Sequence, residues 1–530
     1  MNKKLLKNLC AVFLAGFMAL LLLPQSAQAQ KTEAYVVKSR NNKKLTFYYD
    51  DQKTSRTGSN VWGIEETRID GIGRTYPAWS GMWTSPGVHV TTAVFDASFK
   101  NYLPQSTKNW FLGLEKLKKI EGLTNLNTSK VTTMSGMFAG CQNLTSLNLS
   151  NFNAENVKDM SSMFYGCQNL TSLDLSNFKT EKVQDMRGMF DGCQSLTSLN
   201  LSNFKTENVQ NMGSMFYGCS SLTSLNLSNF NAEKVKDMSL MFYECKNLTS
   251  LDLSNFNTEN VQNMWRMFSG CNNLTSLNLS NFNTEDVQNM SFMFDGCKSL
   301  TSLDLSNFKT ENVKDMSKMF YECQNLTSLN LSSFNTEDVQ DMGEMFYGCQ
   351  NLTSLNLSSF NTEDVQNMSA MFYGCQNLTS LNLSNFNTED VKYMNLMFSG
   401  CHNLTSLNLS NFKTENVQNM SDMFYECNSL QTIYCNNTWT CSVYWDMFYG
   451  CTSLQGAVPY DASKTDASMA NPETGYFTKK ESTGVATTTL DGDANIQAIY
   501  STDGKRLNEL QRGLNIVRMS NGTTQKILCK

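Results

Sequence analysis

Apolar and polar positions along this chain recur with one long period. From residue 142 to residue 427 the segment QNLTSLNLSNFNAENVKDMSSMFYGC, 142–167 in its first copy, returns every 26 residues, and eleven copies fill the span without insertion or deletion. Within a copy, Leu144, Leu147 and Leu149 follow an L-x-x-L-x-L spacing. That spacing places Leu147 and Leu149 on one face of a short strand and Asn148 on the other. In the returning half, Val157, Met160, Phe164 and Cys167 stand 3, 4 and 3 residues apart, a helical stripe that predicts a short helix around Ser161 to Tyr165 ended by Gly166. One such unit cannot enclose its own apolar side chains, so the copies must stack coil on coil. The expected architecture is an α/β repeat solenoid, a right-handed coil with a parallel β-sheet on one face and short helices on the other, and small β modules at both ends.

The flanks are organised around that array. Residues 30–89 read as an N-terminal β-rich module, with strand-like runs at Tyr35–Val37 and Leu45–Tyr49 and a Trp- and Gly-rich stretch from Val61 to Pro86. Residues 90–141 carry the periodic pattern in worn form, through Val94, Phe95, Phe99, Trp110, Phe111, Leu117, Ile120, Leu123 and Leu126, and read as capping coils. A shorter coil, 428–451, and a tail to Lys480 close the array, and 481–489 reads as a linker. The last segment, 490–530, predicts strands at Ile496–Tyr500, Leu514–Met519 and Lys526–Cys529, joined at Asp503-Gly504 and Asn521-Gly522.

Composition changes the picture in three ways. The first is a leader: Lys3, Lys4 and Lys7 precede an apolar run from Leu9 to Leu23, and Ala27-Gln28-Ala29 supplies small residues, so 1–29 reads as a secretory signal cleaved after Ala29. Cys10 lies inside the apolar run without a small residue before it, which argues against a lipid anchor there. The second is charge. The net charge of -6 includes the three leader lysines, and the acidic remainder argues against nucleic acid and anionic membranes as partners. No further stretch has the ~18 apolar residues a spanning helix needs. The third is the scarcity of His, only 2 in 530 residues, beside 17 Cys, 30 Met and 32 Phe. The surplus residues are the coil multiplied, and the shortage leaves few groups for acid–base chemistry.

The L-x-x-L-x-L strand is that of a leucine-rich repeat. Phe152 occupies the place where such repeats often set an Asn that ladders along the turn, so a stack of aromatic rings is expected instead of that ladder. The full pattern, MF-x-x-C-x-x-L-T-S-L-[ND]-L-S-x-F-x-[TA]-E-x-V-x-x-M, resembles the BspA-like leucine-rich repeat surface proteins of bacteria, in their 26-residue subtype. The resemblance covers about residues 90–451. The closing run Ala470–Thr478 and the leader stretch Leu45–Asp50 are also similar to that family. It implies a secreted, cell-surface solenoid, with some members acting as adhesins. From about Asp491, Ile499 to Arg506, Gly513 to Val517 and a Lys-ending last strand resemble the C-terminal sorting modules of type IX secretion.

Candidate chemistry in this chain competes with plain packing. Twelve Cys from Cys141 to Cys427 share the 26-residue period. Stacked coils would bring neighbours within disulfide reach, but an identical column gives no reason to choose one neighbour, and burial as free thiols is the better reading. Cys435, Cys441 and Cys451 break the period, and a Cys435–Cys441 disulfide in the cap is expected on export. The two Met per coil, as at Met160 and Met163, read as core filling rather than a metal track. His89 and His402 stand alone, no nucleophile has a base set by motif, and Asp491–Asn495 imitates a calcium loop without the Gly and Glu such a loop needs. No metal, cofactor or catalytic residue is assigned, and the chain is read as a non-enzyme.

Two surfaces are candidates for binding. On the strand side, Thr145, Ser146, Asn148 and Ser150 recur, with Asp174, Asp252 and Asp304 replacing Asn, giving polar ladders suited to an extended glycan or peptide, or simply a hydrated face. On the other side, the two positions before Met-Phe vary while their surroundings stay fixed. Three successive coils place Leu240, then Trp265 with Arg266, then Phe292 there, and Leu396 follows alone. Large apolar groups in register on an outward face suggest an interaction patch. The functional expectation is a surface adhesin for a host or neighbouring-cell protein or glycan. The alternative is a structural spacer without a specific ligand.

Overall fold

A computed structural model describes residues 31–81, 87–480, 496–502, 504–507, 513–519 and 524–529. The expected leader with its cleavage after Ala29, the 481–489 linker, Asp491–Asn495, Asp503 and the Asn521-Gly522 turn lie outside these residues. The chain divides into two compact units at Thr478 and Lys479.

The first unit opens with a five-stranded mixed sheet. Glu33–Lys38 pairs antiparallel with Asn60–Gly63 on one side and with Lys44–Asp50 on the other. Lys44–Asp50 then pairs parallel with Thr92–Phe95, and that strand with Lys119–Glu121, so the sheet runs across residue 89 into the worn coils. Phe47, Phe95, Phe99, Trp79 and Trp110 pack ring on ring beneath it. This core is continuous with that of the array.

In the array, each strand is only three residues of Ser-Leu-Asn/Asp, as at Ser172–Asp174 beside Ser198–Asn200 and Ser250–Asp252 beside Ser276–Asn278, paired parallel and in register. Leu149 and its equivalents are buried below, and Thr145, Ser146 and Asn148 face out. A second parallel ladder runs along the opposite side as single bridges, from Ser106 and Thr133 through Asp159 and Asp185 to Asn419 and Val443.

The expected helix on that side does not form. Among the described residues there is no α-helix, and the helical segments are four short 3-10 turns, Lys53–Ser55, Ala97–Asn101, Leu123–Asn125 and Ala467–Met469. Ser161 to Tyr165 instead belongs to a chain of tight turns, closed by Met163 N to Met160 O (3.2 Å), Cys167 N to Phe164 O (3.1 Å) and Leu170 N to Cys167 O (3.1 Å). The third residue of each of the first two turns is left-handed, Ser162 at φ 54° and Gly166 at φ 65°, as turns of this class require. Both positions stay left-handed every 26 residues, from Gly136 to Asp422 and from Gly140 to Glu426. A helix would bond within itself. Here Met160, Ser162, Phe164 and Gly166 donate their N–H groups to Asp185, Arg187, Met189 and Asp191 of the next coil, at 3.0, 2.8, 2.9 and 2.6 Å. The apolar spacing fits these turns as well, because Met163 is buried beside Phe164, so inward residues recur about every third position.

Two side-chain ladders add to the backbone ones. Fourteen rings, from Phe111 through Phe138 and Phe164 to Phe424 and Phe448, stack with centroids 5.5–5.7 Å apart. The expected Phe152 stack also forms, at 6.4 Å from Phe178. It does not replace an asparagine ladder, since the ladder is present one residue earlier. Asn177 Nδ2 donates to Leu149 O (3.1 Å) and Phe152 O (2.8 Å), and Asn307 and Asn411 repeat the arrangement. Beside it, buried threonines bridge coils: Thr180 Oγ1 donates to Lys205 O (2.8 Å) and accepts from Lys205 N (2.7 Å). These groups satisfy turn backbone that a buried loop would otherwise leave unpaired.

The second unit is a four-stranded antiparallel sheet in the order Arg506–Leu507, Ile496–Tyr500, Gly513–Met519, Thr524–Cys529. Gly504, at φ 83°, donates to Ser501 O in the turn after Tyr500.

Candidate binding surfaces

The positions before Met-Phe are where the turn backbone is most constrained. Leu240, Arg266, Phe292 and Lys318 occupy the same left-handed position in four successive coils, at φ 58°, 54°, 58° and 55°, where Gly136 and Gly188 stand in earlier coils. Side chains with a Cβ are disfavoured in that conformation by about 1 kcal/mol or more. The backbone holds the column through Leu240 N to Trp265 O (2.9 Å), Arg266 N to Ser291 O (3.1 Å) and Phe292 N to Ser317 O (2.9 Å). Trp265 stands one residue before Arg266, and its backbone N–H donates to Asn263 Oδ1.

The side chains converge. The Arg266 guanidinium lies 4.0 Å from the Phe292 ring centroid, 5.2 Å from that of Trp265 and 5.8 Å from that of Tyr243. Lys318 Nζ covers the outer side of Phe292 at 5.1 Å and reaches Glu344 Oε1 at 3.3 Å. Arg266 Nε is buried without a hydrogen-bond partner among the described residues, so the guanidinium is held by ring faces rather than by acceptors. Burial lifts the carboxyl of Asp295 above its usual range, against the lowering by Ser269, which donates to Asp295 Oδ2 (2.9 Å), and by Arg266 and Lys318. Leu240, Trp265, Arg266 and Phe292 are each half-buried. The chemistry of the cluster is that of an aromatic and cationic contact surface, with no nucleophile or acid–base pair within it. Sequence reasoning missed Tyr243 and Lys318; Lys318 was signalled by its place 26 residues after Phe292, and Tyr243 by the residue that follows Met-Phe.

On the strand side, Asn148 Oδ1 accepts from Ser150 N (3.1 Å), and Asp174, Asp252 and Asp304 accept in the same way from Ser176, Ser254 and Ser306 at 3.0 Å. The backbone and hydroxyl bonds of those serines hold the three carboxyls below their ordinary range. Thr145 is exposed, and its carbonyl accepts from Thr171 N (3.3 Å). The structure therefore spaces these residues along one face rather than gathering them at one point.

The cysteines point inward. All twelve ladder thiols are buried, and each Sγ donates to a Phe carbonyl of the preceding coil, as in Cys167 to Phe138 O (3.3 Å) and Cys427 to Phe398 O (3.0 Å). Cys435 and Cys441 are two separate thiols, with Sγ 3.6 Å from Asn437 O and 3.1 Å from Val443 O. Both methionine columns, Met160 and Met163 in type, are fully buried. Among the described residues no group of His, Cys, Asp and Glu has the arrangement of a metal site, and no helix is long and apolar enough to cross a membrane. Within the expected last coil, 428–451, sequence reasoning did not single out Tyr444 and Trp445, which are exposed and stacked at 5.9 Å.

Parallel three-residue strands, Asn and Phe ladders and a coil of constant length define a leucine-rich-repeat-like β-solenoid. The chain belongs to the family described as "Mycoplasma protein of unknown function, DUF285", whose model matches residues 105–224, 171–276, 248–355 and 346–460. No curated protein matches it. Among solved structures it is similar to a leucine-rich cell surface protein from Faecalibacterium prausnitzii A2-165, at 16% identity over 84% of this chain and 97% of that one, with a TM-score of 0.30. It is similar also to a leucine-rich repeat protein from Eubacterium ventriosum ATCC 27560, at 15% identity over 68% and 97%, with a TM-score of 0.29. The functional domain of InlJ from Listeria monocytogenes, described as including a cysteine ladder, is matched at 12% identity over 78% and 88%, with a TM-score of 0.18.

Proposed function

We propose that this chain is an exported, non-enzymatic binding protein of the cell surface, an adhesin in function, that engages a protein on a host or neighbouring cell through the Leu240, Trp265, Arg266 and Phe292 patch. The observation that carries this reading is the cation held among three aromatic rings, at a position most coils fill with small or polar residues. Bulky side chains kept at a left-handed position are a local cost that folding does not require, and aromatic and Arg anchors are what protein interfaces concentrate. Export rests on the leader ending at Ala29 and on the resemblance to BspA-like surface proteins; the 490–530 module would serve as a type IX sorting signal.

The test compares the purified full chain with a Trp265→Ser/Phe292→Ser variant for binding to immobilised matrix proteins and glycans. Saturable binding by the wild type, weakened about tenfold or more in the variant, is the expected result. Equal binding by both removes the patch from the reading, and absence of any saturable binding favours a spacer. The strand-face residues Thr145, Asn148, Asp174, Asp252 and Asp304 are a second surface on the same proposal, favoured by their regular exposure. Cys435 and Cys441 are separate thiols in the structure; a bridge between them is part of the proposal for the exported protein, where oxidation is available. Thiols counted in denaturant should then rise by two on reduction of the exported protein, and no rise would sink the bridge.

A further inference from the structure

We propose that the groove at the N-terminal end of the strand face binds an anionic polysaccharide, a ligand class and surface separate from the Trp265 and Phe292 patch. The net charge of -6 conceals a strong asymmetry. Residues 31–121 carry fourteen Lys and Arg against nine Asp and Glu, although the chain as a whole is acidic. Four of those cations, Arg40, Lys43, Lys44 and Lys119, line one groove of about 620 Å³ together with Thr91 and Thr92.

Three strands distant in sequence build it. Lys44, Thr92 and Lys119 stand at the same register in the adjacent parallel strands Lys44–Asp50, Thr92–Phe95 and Lys119–Glu121. At about 4.8 Å per strand the two lysines start about 10 Å apart. The backbone beneath them is fixed by Thr91 N and Thr92 N donating to Lys43 O, at 2.8 and 3.2 Å, and by Lys118 N donating to Thr91 O at 2.9 Å. Glu121 is the one acid of the groove; it pairs with Lys119 at 2.5 Å, and that pairing, with a smaller contribution from Lys44, holds its carboxyl low. Arg40, Lys43 and Lys44 have no ion-pair partner among the described residues. Two charged groups on a ligand could therefore be met without breaking an existing pair.

The rest of the lining selects the kind of anion. It is Ser39, Asn41, Thr91 and Thr92, which offer hydroxyl and amide partners to sugar hydroxyls, and it contains no aromatic ring on which a base could stack. The groove also leads onto the solenoid's own polar rows. Lys118 N donates to Thr91 O as Thr197 N donates to Thr171 O in the array, so Lys119–Glu121 takes in its coil the place that Ser198–Asn200 takes later. The next coil presents Thr145, Ser146 and Asn148 there, and the first carboxylate beyond Glu121 in that row is Asp174. A linear chain anchored by its acidic groups at the lysines would run onto hydroxyls before meeting repulsion.

Heparin serves as the probe, with hyaluronan, neutral dextran and single-stranded DNA as parallel arms, each titrated against the full exported chain. Binding of heparin or hyaluronan is expected, falling about tenfold or more as salt rises from about 0.05 to about 0.5 M. The Arg40→Ser/Lys43→Ser/Lys44→Ser/Lys119→Ser variant should lose about tenfold or more, with unchanged circular dichroism. Should that variant fail to fold, Arg40→Gln/Lys43→Gln, confined to the exposed hairpin turn, should lose at least about threefold. The Trp265→Ser/Phe292→Ser variant should bind both glycans as the wild type does, which separates this site from the Trp265 and Phe292 patch. Failure to bind either anionic glycan, binding unaffected by the cation substitutions, DNA bound as tightly as heparin, or competition by dextran would each overturn the proposal.

Discussion

Replacing Phe294 by Ala should lower the free energy of unfolding by about 3–5 kcal/mol, measured by chemical denaturation. Phe294 has no solvent exposure, and its ring lies 5.6 Å from Phe268 and 5.7 Å from Phe320, nearly parallel to both. Truncation would remove two stacking partners at once and open a cavity between three coils. The neighbours cannot close on it, because their backbones are tied coil to coil by Phe268 N to Met293 O and Phe294 N to Met319 O, both 2.9 Å. Since each coil contacts only the next, the loss should also be local. Hydrogen exchange should accelerate most in the coils that contain Phe268, Phe294 and Phe320, and least near Phe111 and Phe448. Phe294→Leu, which keeps most of the volume, should cost less than half as much. A penalty below about 1 kcal/mol for Phe294→Ala would mean that the ring column does not couple the coils.

The strand half of this coil was legible because a period of two leaves few alternatives: Leu147 and Leu149 had to share a face, and Asn148 the other. The opposite half was not, since Val157, Met160, Phe164 and Cys167 satisfy both a helix and a run of four-residue turns. What separates the two is the backbone, left-handed at Ser162 and Gly166, and the sequence marks it only by the Gly that recurs before most ladder cysteines. In the sequence the asparagine ladder reads as replaced by the Phe152 stack, because Phe152 draws attention away from Asn151, whose Nδ2 donates to Leu123 O and Leu126 O. The Leu240, Trp265, Arg266 and Phe292 patch could be found by comparing one coil with the next, because side-chain size at an outward position varies freely. The basic groove could not, because its residues come from three strands far apart in the chain and because a net charge averages over both ends.

The cysteine ladder should make the fold sharply sensitive to alkali. Burial drives each ladder thiol above its ordinary range, with Cys167, Cys245 and Cys401 raised to about 12. In the unfolded chain the same thiols titrate near 8.5. The folded state therefore holds its thiol protons more tightly. The stability this represents is complete below pH ~8.5 and is lost as pH rises toward ~12. Within that window each pH unit removes about 1.4 kcal/mol per thiol, so twelve thiols together remove roughly 17 kcal/mol per pH unit, more than the whole stability of an ordinary domain. Circular dichroism followed against pH should show a cooperative loss of β-structure between about pH 9 and 11, reversed on prompt return to pH 7 under reducing conditions. Replacing several adjacent ladder cysteines, for example Cys245, Cys271 and Cys297, by Ala should move that transition to higher pH while lowering stability at pH 7, because each substitution removes both a titrating group and the bond from Sγ to a Phe carbonyl. A chain that keeps its structure at pH 11 would show that burial raises the thiols too little to govern the alkaline transition. The same burial predicts that an alkylating reagent at pH 8 modifies the ladder thiols only after denaturant is added, because the nucleophile is the thiolate and the folded coils suppress it by more than about a thousandfold.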